Sequence, residues 1–255
     1  MTDLSLLKED LVTANHILAE HNVVDSFGHV SVRHPEIPGH FLLSRARAPH
    51  CVEIGDITEF THEGKIVGHE PGKPYSERFI HGAVYEARPD VMAVVHNHSP
   101  NVVPFTVQKK KKMQPIMHMC APIGTDIPNW DIAHKFGTTN LLVTSIEMGR
   151  DLAGTLAHRT VTLMRGHGCV VAAKSLRDVV FTSIYLEINA DMLIKAYQLG
   201  DGEVFPLSEG EVEANARARA GFTIERGWEN WCREVGRPYY AQDWNMGAGF
   251  SKTDK

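Results

Sequence analysis

The chain is poor in the features that most quickly assign a protein. Its 255 residues include four cysteines, Cys51, Cys120, Cys169 and Cys232, and no two of them form a CxxC pair. Thiols scattered this way argue against a disulfide scaffold and suit a reducing compartment, so a cytoplasmic protein is expected. Positive charge is not in excess: 26 Lys and Arg stand against 31 Asp and Glu, for a formal net charge of −5 at pH 7. Without a basic face, no nucleic-acid partner is expected. The one charge run, Lys109 to Lys112, reads as a solvated loop. No apolar run approaches the roughly 20 residues of a membrane span, and nothing near Met1 resembles a signal peptide, so no membrane partner is expected either. Repeats and low-complexity linkers are missing. A hydrophobic content of 43% is enough for one substantial core, so residues 1–255 are expected to form one domain.

What the chain does have is an arrangement of one carboxylate and three histidines. His96 and His98 sit in "VMAVVHNHSP", where Val91 to Val95 reads as a buried strand that Ser99-Pro100 ends. Side chains alternate faces along a strand, so His96 and His98 point the same way and can hold one ion. His167 lies in "LMRGHGCVV", after a strand expected over Val161 to Met164 and within a glycine-flanked turn. Three imidazoles leave a zinc- or manganese-type ion with open positions, as catalysis requires. Glu77 opens "YSERFIHGAVYEARPD", a helix expected to have Ser76 as its N-cap and Ile80, Ala83, Val84 and Ala87 as its core face. Taken alone, Glu77 would be a first-turn carboxylate in water. Three residues before Ile80 it projects toward the buried side instead, where a carboxylate needs a partner.

Glu77, then "HNHSP", then "RGHGCVV", preceded by "FGHVSVRHP", resembles the class II aldolase/adducin family from about Leu4 to Leu199. The resemblance implies an α/β fold: a three-layer α/β/α sandwich around a mostly antiparallel mixed sheet, assembled as a homo-oligomer, usually a tetramer. It also implies one divalent metal ion per subunit (Zn, Mn, Fe or Co) on His96, His98 and His167, with Glu77 as the catalytic acid/base. Sugar-phosphate members cradle a phosphate with small residues. This chain departs from them, with His29 where an Asn is expected, "LLSRARAPH" in place of a small turn, and Tyr75-Ser76 in place of a serine pair.

Those departures replace a backbone phosphate nest with groups suited to a flat carboxylate. Arginine offers a planar fork to carboxylates, and tyrosine a flat face with a hydroxyl edge. His29, Ser44, Arg45, Arg47, Tyr75 and Ser76 are therefore the candidate substrate-binding residues, with Arg45 and Arg47 on one strand face if the strand continues that far. "GHVSVRHP" with "LLSRARAP" resembles the family's metal-dependent aromatic dicarboxylate decarboxylases, which act on dihydroxyphthalates or hydroxy-methylpyridine-dicarboxylate. His118, in "PIMHMCAPIG", is expected on a strand, as a core histidine or as a second catalytic acid.

Two helices are expected toward the C-terminus. One is capped by Ser175 with Asp178 and ends at Gly200; the other carries a Ser208–Glu211 box, with Gly221 weakening its continuity. Within the C-terminal segment of about residues 201–255, the aromatic tail bearing Tyr239, Tyr240 and Trp244 reads as a lid or as a contact with a neighbouring subunit. The leading functional reading is a metal-dependent carboxy-lyase acting on a small aromatic carboxylate. An aldolase or epimerase acting on a sugar or hydroxy-acid is the alternative. A non-catalytic adducin-like module comes third, because a scaffold without chemistry has no use for a three-histidine site.

Overall fold

The computed structural model describes residues 4–199, 202–218 and 221–241. The elements run α1 (Leu4–Glu20), β1 (His29–Arg33), β2 (His40–Ser44), β3 (Ile57–Thr61), β4 (Ile66–Val67), α2 (Arg78–Ala87), β5 (Ala93–Asn97), α3 (Val103–Val107) and β6 (Asn129–Trp130). They continue with α4 (Ala133–Phe136), α5 (Ile146–Leu156), β7 (Val161–Met164), β8 (Gly168–Ala173), α6 (Leu176–Gln198), α7 (Glu209–Ala218) and α8 (Gly221–Glu234). Among the described residues eight strands form one sheet in the order β4-β3-β2-β1-β5-β8-β7-β6, in which only β6 and β7 pair in parallel. Strand alternation divides the core. Val30, Val32, Leu42, Val95 and Val171 face α1, α6 and α8, while Phe41, Leu43, Val94 and Val170 face α2 and α5. The expected α/β/α sandwich with a mostly antiparallel sheet is the observed architecture.

Most elements have visible local causes. In α1, Leu11, Ala14 and Leu18 are fully buried, and Leu4 and Leu7 pack half-buried beside them, as the apolar stripe requires. Ser175 accepts the Asp178 amide to cap α6, and Ser208 and Glu211 form their reciprocal box before α7. Gly168 holds β8 against β5: a Cβ there would lie 2.0 Å from the carbonyl oxygen of Asn97, the residue between His96 and His98. Only a residue without a side chain permits that approach.

Several expectations need correction. The N-cap of α2 is Glu77, not Ser76, and no side chain caps that end; Ala87 is exposed rather than part of the core face. The histidine strand begins at Ala93, because Val91 closes a turn onto the Arg88 carbonyl. His118 stands exposed on a 3-10 helix, His118–Ile123, not on a strand. The last helical stretch is described as α7 and α8, and the junction before Gly221, residues 219–220, lies outside the described residues. α6 ends at Gln198, and Gly200 lies outside the described residues, as does Trp244. Tyr239 and Tyr240 fold back on their own chain: the Tyr239 hydroxyl donates to Glu225 at 2.8 Å, and the Tyr240 carbonyl accepts from buried Arg177 at 2.7 Å. Among the described residues no helix is long and apolar enough to cross a membrane.

Candidate metal centre

The site lies at one end of the sheet on the α2/α5 face. β5 supplies His96, paired with His29 of β1 on one side and Val170 of β8 on the other, and His98 follows two residues later. The β7–β8 hairpin turn supplies His167, with Gly166 at φ +66° making the turn possible. The N-terminus of α2 supplies Glu77. Their ligand atoms all lie within 4.8 Å of one another. His98 Nε2 is 3.2 Å from His96 Nε2 and 3.0 Å from His167 Nε2, while Glu77 Oε2 is 3.6 Å from the Nε2 of both His96 and His167.

Main-chain groups aim these rings. His96 Nδ1 is 3.1 Å from the Cys169 carbonyl, and His167 Nδ1 is 3.1 Å from the Leu141 carbonyl. A carbonyl only accepts, so each Nδ1 carries the proton and each Nε2 presents a lone pair to the centre. Glu77 Oε1 is tied by the Val143 amide at 2.9 Å, which leaves Oε2 facing the histidines. Three imidazole nitrogens and a carboxylate oxygen therefore converge, and one proton on His98 can bridge only one of the nitrogen pairs. A cation at the centre meets all four. The nitrogen separations match ligands held about 2.0–2.1 Å from a shared ion, so the donor set fits a divalent metal.

The electrostatics agree. Burial pushes the Glu77 carboxyl up, but His96, His167 and the Val143 amide more than reverse this and hold it at about 2, so it is ionised. Burial lowers His98 and His167 to about 4, so both stay neutral, the form that ligates metal.

The other candidates fall into three groups. His29 is buried beside the centre, its ring 4.5 Å from that of Tyr75 and 5.2 Å from that of His96. Arg45 and Arg47 do not share a strand face, since β2 stops at Ser44. They converge instead on Asp56: Arg45 Nε donates to Oδ1 and Arg47 Nη1 to Oδ2, both at 2.6 Å. Burial pushes Asp56 up, and the Glu53 amide and both guanidiniums bring it below the usual carboxylate range. Both arginine side chains remain about a third exposed, at 32% and 29%. The Tyr75 hydroxyl donates to the Arg47 carbonyl, buried Ser44 lies beside it, and burial raises the phenol's pKa. Ser76 is exposed, and His118 sits on a 3-10 helix packed against α6 and α7, outside the histidine cluster.

A cleft of about 440 Å³ opens beside His98, walled by Val24, Asp25, Ala48, His50 and Cys51, within the usual size of small-molecule sites. A larger cleft of about 760 Å³ between α6 and α8 has none of the cluster's residues on its wall. Sequence reasoning missed Leu141 and Val143, which act through main-chain atoms that no side-chain pattern reveals. It also missed Ser31, His81 and Tyr85, which run as a buried chain beside His29. The available signal was spacing: Ser31 is two residues from His29 on a strand, and His81 and Tyr85 are one helical turn apart.

Comparison with known proteins places this geometry. Residues 9–194 match the family described as class II aldolase and adducin N-terminal domain, and the chain belongs to that family. It is 32% identical to decarboxylase tropJ of Talaromyces stipitatus over 246 residues, covering 88% of this chain and 92% of that one. It is 26% identical to 3,4-dihydroxyphthalate decarboxylase of Arthrobacter keyseri, covering 88% and 91%. With L-fuculose phosphate aldolase of Escherichia coli the identity is 31%, over 56% of this chain and 63% of the aldolase. Among solved structures, an aldolase II superfamily protein from Pseudomonas syringae superposes with a TM-score of 0.76 at 22% identity, covering 92% and 94%. These relatives set the chain on the decarboxylase branch of a family of lyases.

Proposed function

We propose that the protein is a divalent-metal-dependent decarboxylase of a hydroxylated aromatic or pyridine dicarboxylate. The observation that carries this reading is the Glu77–His96–His98–His167 cluster lying near a pair of arginines, where a phosphate cradle would need small residues. Relatives support it: the two decarboxylases match along 88% of the chain, whereas the match to fuculose phosphate aldolase covers 56%.

The chemistry assigns roles to residues already described. A divalent ion on the three histidines supplies Lewis-acid stabilisation of negative charge as it develops on a substrate oxygen. Arg45 and Arg47 each spend one guanidinium edge on Asp56 and keep the rest of the fork for the carboxylate that stays on the ring. Tyr75, its ring tilted against that of His29, offers a flat wall to the ring. Glu77 rests ionised, so it first accepts the substrate's hydroxyl proton. The ring–carboxylate bond then breaks, its electron pair stays on the ring carbon, and CO₂ leaves. Glu77 returns its proton to that carbon. His118, exposed and outside the cluster, serves as an acid only if an oligomer brings it to a neighbouring subunit's site. We assign the protein to the cytoplasm, in keeping with four free cysteines, and to a closed homo-oligomer, a tetramer by resemblance, whose mass light scattering will give.

A second reading, an aldolase or epimerase, is favoured by one feature: Asp56 already neutralises part of the arginine pair's charge. The deciding experiment offers the manganese- and zinc-loaded protein 3,4- and 4,5-dihydroxyphthalate, hydroxy-methylpyridine-dicarboxylate, and fuculose and ribulose phosphates. CO₂ from a diacid, diminished in Arg47→Ala, supports the decarboxylase. Cleavage or epimerisation of a sugar phosphate, with every diacid inert, overturns it.

A further inference from the structure

Beside the metal centre a chain of four polar side chains runs into the core between β1 and α2. His29 and Ser31 alternate on one face of β1, and His81 and Tyr85 lie one turn apart on α2. His29 Nδ1 is 2.6 Å from His81 Nε2, His81 Nδ1 is 2.6 Å from Ser31 Oγ, and Ser31 Oγ is 2.8 Å from the Tyr85 hydroxyl. All four are buried, none more than 3% exposed. We propose that His81, Ser31 and Tyr85 fix His29 as the tautomer that carries its proton on Nε2, so that His29 presents a hydrogen-bond donor to an anionic oxygen of the ligand at the metal centre.

The polarity follows from counting protons. Ser31 has one hydroxyl proton between two partners, so it donates to one and accepts from the other. The far end breaks the tie. Tyr85 is 1% exposed, so its hydroxyl proton has to find an acceptor within the protein. The phenol's own proton must then go to Ser31, its one side-chain partner among the described residues. The charged group over its ring, Arg33, at 4.8 Å from the centroid, has no acceptor to offer. Ser31 therefore donates to His81 Nδ1, and His81 donates from Nε2 to His29 Nδ1. The proton of neutral His29 is left on Nε2.

The reverse order would strand the Tyr85 proton in a dry core with no acceptor. A doubly protonated His81 is excluded by its burial, which pushes it down to about 3. His29 Nε2 lies on the ring edge away from His81, on a ring flanked by Tyr75 and His96, and no described residue takes a hydrogen bond from it. His81, Ser31 and Tyr85 are positioning residues, because they act on the ligand only through His29. The tautomer stands on the geometry alone, whereas the substrate oxygen as its partner rests on the function proposed above.

Nitrogen-15 NMR reads the tautomer directly. The protein is labelled at histidine nitrogen and loaded with zinc, which is diamagnetic. The His29 signals are identified by their loss in His29→Gln, and two-bond proton–nitrogen correlations then give each ring nitrogen's type. The expected pattern for His29 is pyrrole-type Nε2 and pyridine-type Nδ1. Tyr85→Phe, which deletes a single oxygen, is expected to raise the minor tautomer roughly five- to tenfold, and Ser31→Ala is expected to do the same. A protonated Nδ1 in the unaltered protein overturns the proposal, as does a His29 tautomer unmoved by both substitutions. If neither variant folds, the unaltered protein's spectrum decides alone. Failure of every diacid to react, with Nε2 protonated, removes the proposed function and leaves this inference standing; turnover with Nδ1 protonated does the opposite.

Discussion

The histidine centre and the arginine corner both gather chargeable side chains at the end of the same sheet, and they are assembled on opposite principles. Around Asp56 a carboxylate meets two guanidiniums at 2.6 Å, and much of the charge is cancelled within the protein. Around His98 the converging atoms are imidazole nitrogens and a carboxylate oxygen, and no lysine or arginine among the described residues is paired with them. A cluster of opposite charges is complete by itself and shapes the loop that holds it. A cluster of acceptors needs an outside partner. Changes at the two corners should therefore fail differently, the first in substrate affinity and the second in metal and turnover.

The largest effect is expected from Glu77→Gln, which keeps the Val143 contact and removes the titrating group. Steady-state kinetics should show kcat lower by about 10²–10⁴, the usual scale for a general acid–base group, with the metal still bound. Near-normal turnover would remove Glu77 from the chemistry. Arg47→Ala should come next, lowering kcat/KM for a dicarboxylate by about ten- to a hundredfold, mainly through KM, with metal content unchanged. A loss of metal in that variant would erase the distinction between the two corners.

A smaller effect is expected from pH on the metal-free protein. The folded-state pKa values of His81, His98 and His167, about 3, 4 and 4, lie below the ordinary 6.5, so the unfolded chain binds more protons between those limits. Stability is then complete above about pH 6.5 and falls as pH drops toward 4, by about 1–2 kcal/mol per histidine at pH 5. Glu77, held at about 2 against 4.5, adds a loss only below about pH 4.5. Melting temperatures in chelator from pH 7.5 to 5 check this, and a flat profile would contradict the burial of neutral imidazoles.

What could be read from the sequence was what a single element determines. Alternation along one strand put His96 and His98 on a common face, and turn glycines marked where His167 is delivered. Serine caps marked the starts of α6 and α7. What escaped depends on other elements. Arg45 and Arg47 looked like one strand face, but β2 stops at Ser44 and a later turn brings Asp56 between them. "PIMHMCAPIG" reads as apolar and extended, yet with Pro122 inside it closes as a 3-10 helix and leaves His118 in solvent. Ser31, His81 and Tyr85 meet only because β1 lies against α2, a register no local pattern records. Leu141 and Val143 contribute a carbonyl and an amide, which every residue possesses.

The central claim is that Glu77, His96, His98 and His167 hold a divalent ion. Its most direct test is calorimetric titration of the chelator-stripped protein with zinc and with manganese, beside elemental analysis of protein never exposed to chelator. The account predicts one ion per chain, with binding abolished in His98→Ala and in His167→Ala and retained in Arg47→Ala. Substoichiometric metal in the native protein, or a His98→Ala variant that binds its ion unchanged, would contradict it.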